Sequence, residues 1–126
     1  MESVFDPLRK KNIPLTPEEG VRQAFISYLH TTGGIPYVRM RSEWPFTYNG
    51  RQYRADIIVF DRNLQPEMLV ECKAPSVTID SSVAEQVTRY ARELKPKTIV
   101  LTNGRTTYAF TLDESGTKYS PAGSLF

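Results

Sequence analysis

Two apolar runs with charges set into them constrain this chain more than any other feature. Residues 55–60 read ADIIVF, and residues 68–73 read MLVECK. Both have the Ile, Val, Leu and Phe content of buried strands. Yet Asp56 stands near the start of the first, and Glu71 and Lys73 close the second. Charges are seldom buried unless paired or bound to metal. Side chains alternate faces along a strand, so Glu71 and Lys73, two apart, share a face. The intervening DRNLQPE (61–67) reads as a turn. Antiparallel pairing across it sets Asp56 beside Glu71. Two carboxylates with an amine next to them suit a divalent cation. The same D…ExK spacing is common by chance, and taken alone it equally fits a surface ion-pair cluster on a half-exposed strand. The apolar flanks of Asp56 weigh against a merely solvated charge.

At 126 residues the chain has the size of one domain, 1–126, with residues 1–15 expected as a polar, Pro-punctuated surface arm. Its single cysteine, Cys72, excludes an internal disulfide and a cysteine-based zinc site. Its single histidine, His30, excludes a multi-histidine metal site and weakens a histidine-base hydrolase reading. His30 itself suits a cation at a helix C-terminus. A formal net charge of +2 only weakly favours an anionic partner. No apolar run approaches membrane-spanning length, and the charged start MESVFDPLRKK is unlike a secretory signal. The expectation is a cytoplasmic protein with no membrane partner.

Along the chain, Thr16 suits a helix cap, Pro17 the first helical position, and Glu18 and Glu19 the positive helix start. Val21, Phe25, Tyr28 and Leu29 follow at helical spacing until Gly33-Gly34. Glu18 and Arg22 are four apart, the spacing of an ordinary helix ion pair. Asn49-Gly50 predicts a hairpin joining strands near 43–48 and 51–60, with 68–73 continuing the meander. A second helix is predicted near 80–95, with Val83, Val87, Ala91 and Leu94 on its apolar stripe. Gln86 and Tyr90 lie beside that stripe, placed either to reach the sheet or to be partly buried helix polars. KTIVLTNG and TTYAFTLD add two strands, with Asn103-Gly104 as a turn. The order predicts an α/β or α+β fold with helices covering a mixed sheet. Cys72, between Glu71 and Lys73, is expected to turn its thiol into the core, leaving its backbone carbonyl for the site.

Taken in order, TPEEGVRQAFISYL, RADIIVF, LVECKAP, EQVTRY and LTNG resemble the PD-(D/E)xK nuclease superfamily. More narrowly, they resemble the N-terminal nuclease domain of type I restriction enzyme R subunits. The resemblance runs from about Thr16 to Gly104, and Gln86-x-x-x-Tyr90 after the Glu-x-Lys makes it more specific than a lone D…ExK. It departs at Ala55, where the superfamily has its eponymous proline.

The resemblance implies a restriction-endonuclease-like core, a central mixed β-sheet flanked by helices. It implies Mg²⁺, for which Mn²⁺ substitutes, held by Asp56, Glu71 and the Cys72 carbonyl with waters. Lys73 would orient or deprotonate the attacking water, or stabilise charge developing on phosphorus. Glu18, counted with the catalytic residues, would complete the metal environment through a water, or hold Arg22. Gln86 and Tyr90 would position the nucleic-acid strand or the site lysine, and Arg22 is grouped with them on the substrate side. The implied partners are DNA and the translocase or specificity subunits of a restriction-modification system. R subunits continue into an ATP-driven translocase that 126 residues cannot contain, so a fragment or a free-standing relative is expected. The alternative is a catalytically inactive domain of the same fold that binds nucleic acid or a partner subunit.

Overall fold

The computed structural model describes residues 2–126. Ser3–Asp6 (β1) and Lys11–Pro14 (β2) pair antiparallel as a separate hairpin. The expected surface arm is therefore ordered backbone, with Asp6 and Ile13 buried. Helix α1 follows at Pro17–Thr31, and the Thr16 side chain accepts the Glu19 N–H at 3.1 Å, as its capping position predicts. Its buried stripe is Val21, Ile26 and Leu29, together with Glu19 and Arg22, while Tyr28 is left exposed.

A six-stranded sheet forms the body of the molecule. Its strands are β3 (Met40–Tyr48), β4 (Arg51–Phe60), β5 (Pro66–Cys72), β6 (Thr98–Thr102), β7 (Thr107–Leu112) and β8 (Tyr119–Pro121), in that spatial order. All neighbours are antiparallel except β5 and β6. A parallel pair needs a long crossover, and helix α2 (Ser81–Ala91), continued by a 3₁₀ turn at Arg92–Leu94, supplies it. The β3–β4 hairpin turns at Asn49 and Gly50, both with positive φ (49° and 74°), the geometry that Asn-Gly accommodates. Strand β8 has no counterpart among the strands expected from the sequence, because three mostly exposed residues carry no period.

Alternation along the central strands divides the core in two. Val70 and Cys72 of β5 and Val100 of β6 pack with Val21, Ile26 and Leu29 of α1. Leu69, Ile99 and Leu101, their sequence neighbours, pack with Ala84, Val87 and Ala91 of α2. The two helices thus cover opposite faces of a mixed sheet, the α+β arrangement expected.

Candidate active site

The site forms where β4 and β5 stop pairing. Their register ends at Ile57↔Val70, and Asp56 and Glu71 are the next residues out. Past that point the Cys72 N–H donates to Asp56 Oδ2 at 2.7 Å instead of to a backbone carbonyl. A side chain thus closes the fork between the strands. Asp56 is itself buried, 8 % exposed.

Glu71 lies close enough to Asp56 to feel its charge. Burial, then the Asp56 charge, push Glu71 up to about 9, against the opposing pull of Lys73. Glu71 also accepts from the Tyr90 hydroxyl at 3.4 Å. Burial and the Glu71 charge raise the Tyr90 phenol above its ordinary range, so it stays a donor. Tyr90 reaches Glu71 from α2, whereas Arg22 reaches Asp56 from α1, Nη2 to Oδ1 at 3.3 Å. The two carboxyls therefore meet where β4 and β5 part, with one contact reaching them from each helix layer.

Lys73 is half-buried one residue beyond β5, its N–H donating to the Thr102 carbonyl at 2.9 Å. The Cys72 thiol is fully buried in the α1-side core, and burial raises its pKa, so any contribution of Cys72 to the site is through its backbone. Gln86 is exposed on α2. Glu18 is also exposed, near enough to add slightly to the charge felt by Glu71. Asn103 is a buried turn former, as its motif predicts: its Oδ1 accepts the N–H groups of Arg105 and Thr106, and its Nδ2 donates to the Val77 carbonyl. His30 stacks on Tyr37 and contacts the Ile35 carbonyl at the end of α1, away from the site.

The ion pairs of Arg22 differ from the Glu18 pairing that the helix spacing suggested. This guanidinium is 6 % exposed and faces Glu19 at 3.5 Å, Glu43 at 3.6 Å and Asp56 at 3.3 Å. Its Nε and Nη1 have no hydrogen-bond partner. Arg22 is therefore buried among carboxylates beside Asp56. Arg9, from the turn between β1 and β2, extends the network, donating to Glu19 at 3.1 Å, pairing with Glu43 at 3.9 Å and binding Asp6 closely. Glu43 sits at φ 53°, in the left-handed region, in the middle of β3. The β3–β4 pairs Ser42↔Ile57 and Trp44↔Ala55 flank it, so it stands opposite Asp56 where the ladder skips. Such a conformation costs about 1–3 kcal/mol in a non-glycine residue and collects at functional sites.

Asp6, Glu19, Glu43, Asp56 and Glu71 together outnumber Arg9, Arg22 and Lys73. Among the described residues no three Asp, Glu, His or Cys side chains converge as a complete cage. Two carboxylates with a backbone oxygen nevertheless suit Mg²⁺, which keeps much of its water and commonly takes one or two carboxylates. A separate cavity of about 480 Å³ lies between α1 and the C-terminal residues, but its lining contains no acid or cation.

A family model, the type I restriction enzyme R protein N terminus, matches residues 17–125. No curated protein and no solved structure matches the chain.

Proposed function

This chain belongs to the family of type I restriction enzyme R protein N termini, and from that premise we propose that it hydrolyses phosphodiester bonds in DNA with a divalent metal. The single observation that carries the proposal is the fork of β4 and β5. There two carboxyls share one site, one of them holds its proton to about 9, and a lysine stands beside them. Asp56, Glu71 and the Cys72 carbonyl would hold Mg²⁺ or Mn²⁺, which would neutralise phosphate charge and lower the pKa of water.

The chain's own groups do the positioning. The Cys72 N–H and Arg22 fix the two oxygens of Asp56, and Tyr90 fixes one oxygen of Glu71. Lys73 places a positive charge where water adds to phosphorus and the strand oxygen leaves. It also orients that water, whose proton passes to solvent while the departing strand oxygen takes one up from solvent. Glu18 lies on the solvent side of the first turn of α1, where it acts through water. Gln86 and Tyr90 face the nucleic-acid strand. In a restriction system the DNA would be delivered by translocase and specificity subunits.

Plasmid nicking tests this reading. The protein should relax supercoiled DNA with Mg²⁺ or Mn²⁺ and not with EDTA. Asp56→Asn, Glu71→Gln and Lys73→Met should each lower the rate by about 10²-fold or more. Undiminished nicking by Asp56→Asn would refute the assignment. DNA binding with no metal-dependent cleavage would point instead to a non-catalytic domain of the same fold.

A further inference from the structure

The charge at the β4–β5 fork is acidic, but the surface next to it is not. Between the Asn49-Gly50 hairpin tip and α2 lies a cavity of about 420 Å³. Tyr48, Tyr53 and Tyr90 form its aromatic wall. Tyr53 and Tyr90 stack at 4.5 Å and 13°, Phe46 stacks on Tyr53 at 5.6 Å, and Tyr48 meets Tyr53 edge-on at 6.4 Å. The amides of Asn49 and Gln86 and the exposed guanidinium groups of Arg51 and Arg89 complete the lining, which contains no acidic residue. Tyr90 belongs to both places, because it lines the cavity while its hydroxyl donates to Glu71. One side chain therefore separates the cavity from the carboxylate pair.

We propose that this cavity binds an unpaired nucleobase of the strand being cut, so that the domain takes single-stranded or locally unpaired DNA at the Asp56–Glu71 site. Tyr53 and Tyr90 stack on each other and back the wall, while Tyr48, which meets Tyr53 only edge-to-face, is the ring of the three not stacked on another and the one to take a base. Such stacking beside a basic rim that follows the backbone binds single strands without sequence preference. Arg51 and Arg89 answer phosphates. Asn49 and Gln86 offer both donors and acceptors, as the Watson–Crick edge of an extruded base requires. A paired base presents no such edge and no free face, so duplex DNA cannot fill the cavity. The proposal rests on the nuclease reading for the identity of its ligand.

The test uses fluorescent oligonucleotides of about ten nucleotides, within the size range of single-strand sites, in Ca²⁺ to suppress hydrolysis. The probes are a single strand, its duplex, a single strand carrying 2-aminopurine and an abasic single strand. The single strand should bind about tenfold more tightly than the duplex, and 2-aminopurine should be quenched on binding. Tyr48→Ala and Arg89→Ala should each weaken single-strand binding about tenfold, with Mn²⁺ affinity unchanged as the control for folding. Tyr48→Ala should also abolish the quenching. Equal binding of abasic and intact strands, or full quenching by Tyr48→Ala, would overturn the proposal. Metal-dependent cleavage that proceeds equally on abasic strands and in Tyr48→Ala would reject the cavity and leave the nuclease reading standing. Quenching without any cleavage would reject the nuclease reading and retain the cavity.

Discussion

Arg22 serves three carboxylates at once, and that makes it the most exposed point in the energetics of the site. Removing one partner of a buried ion pair leaves the others uncompensated and typically costs about 3–5 kcal/mol. Arg22→Ala should lose stability on that scale in urea melts, because Glu19, Glu43 and Asp56 all lose their shared cation. Arg22→Lys should fall between, since an ammonium cannot reproduce the guanidinium fork. A loss below 1 kcal/mol would mean that Arg9 alone neutralises the cluster. Asp6 gives the network a pH signature. Burial works to raise its pKa, but hydrogen bonds from Arg9 and the Leu8 N–H outweigh burial and hold it below its ordinary value. A carboxyl depressed in the folded state contributes stability above its ordinary pKa, and that contribution is lost as pH falls through the folded value. The melting temperature should therefore drop between about pH 5 and pH 2, and Asp6→Asn should flatten the drop. An unchanged acid limb in Asp6→Asn would assign acid sensitivity elsewhere.

At the scale of elements, the site is held by how two helices are begun and aimed. Thr16 caps α1 and Asp80 caps α2 through the Val83 N–H at 3.0 Å. Those caps set where each helix starts, and the helix period then carries Arg22 and Tyr90 toward the fork from opposite faces of the sheet. Thr16→Ala should cost about 1 kcal/mol, read as a lower urea midpoint with an unchanged slope. Were the slope to change as well, the cap would be shaping more than one helix end. The β1–β2 hairpin adds a third support, because Arg9 bridges it to Glu19 of α1 and Glu43 of β3.

For the whole molecule, charge is distributed and not massed. A net charge of +2 gives little long-range attraction to DNA, while local arginines still answer phosphates. Phosphate contacts position a duplex but do not read it. Binding of the isolated chain should therefore fall steeply with salt, vary little with sequence, and support only weak cleavage. Competition between one short duplex and scrambled duplexes at two salt concentrations checks this. Tight, salt-resistant preference for one of them would contradict it. Among the described residues no helix is long and apolar enough to cross a membrane.

Features that depend on neighbours along the chain are legible in the residues alone. The cap at Thr16, the Asn49-Gly50 turn and the adjacency of Asp56 to Glu71 all follow from spacings within one helix turn or one hairpin. The burial of the Cys72 thiol follows from simple alternation. Which charges gather beside Asp56 depends instead on how the layers pack. Glu18 and Glu19 are equally good first-turn acids, and the docking of α1 on the sheet is what buries Glu19 and leaves Glu18 in solvent. The same docking turns Arg22 inward, away from the role its spacing with Glu18 suggested. Asp6 and Arg9 sit in a segment with no apolar period, so its pairing becomes visible only once α1 and β3 offer it partners. Glu43 is left-handed in the middle of β3, and its carboxylate meets Arg9 and Arg22 from other elements, partners that no local rule for a strand glutamate contains. Local periodicity specifies which face a residue occupies; the partners waiting on that face are set by how the layers close.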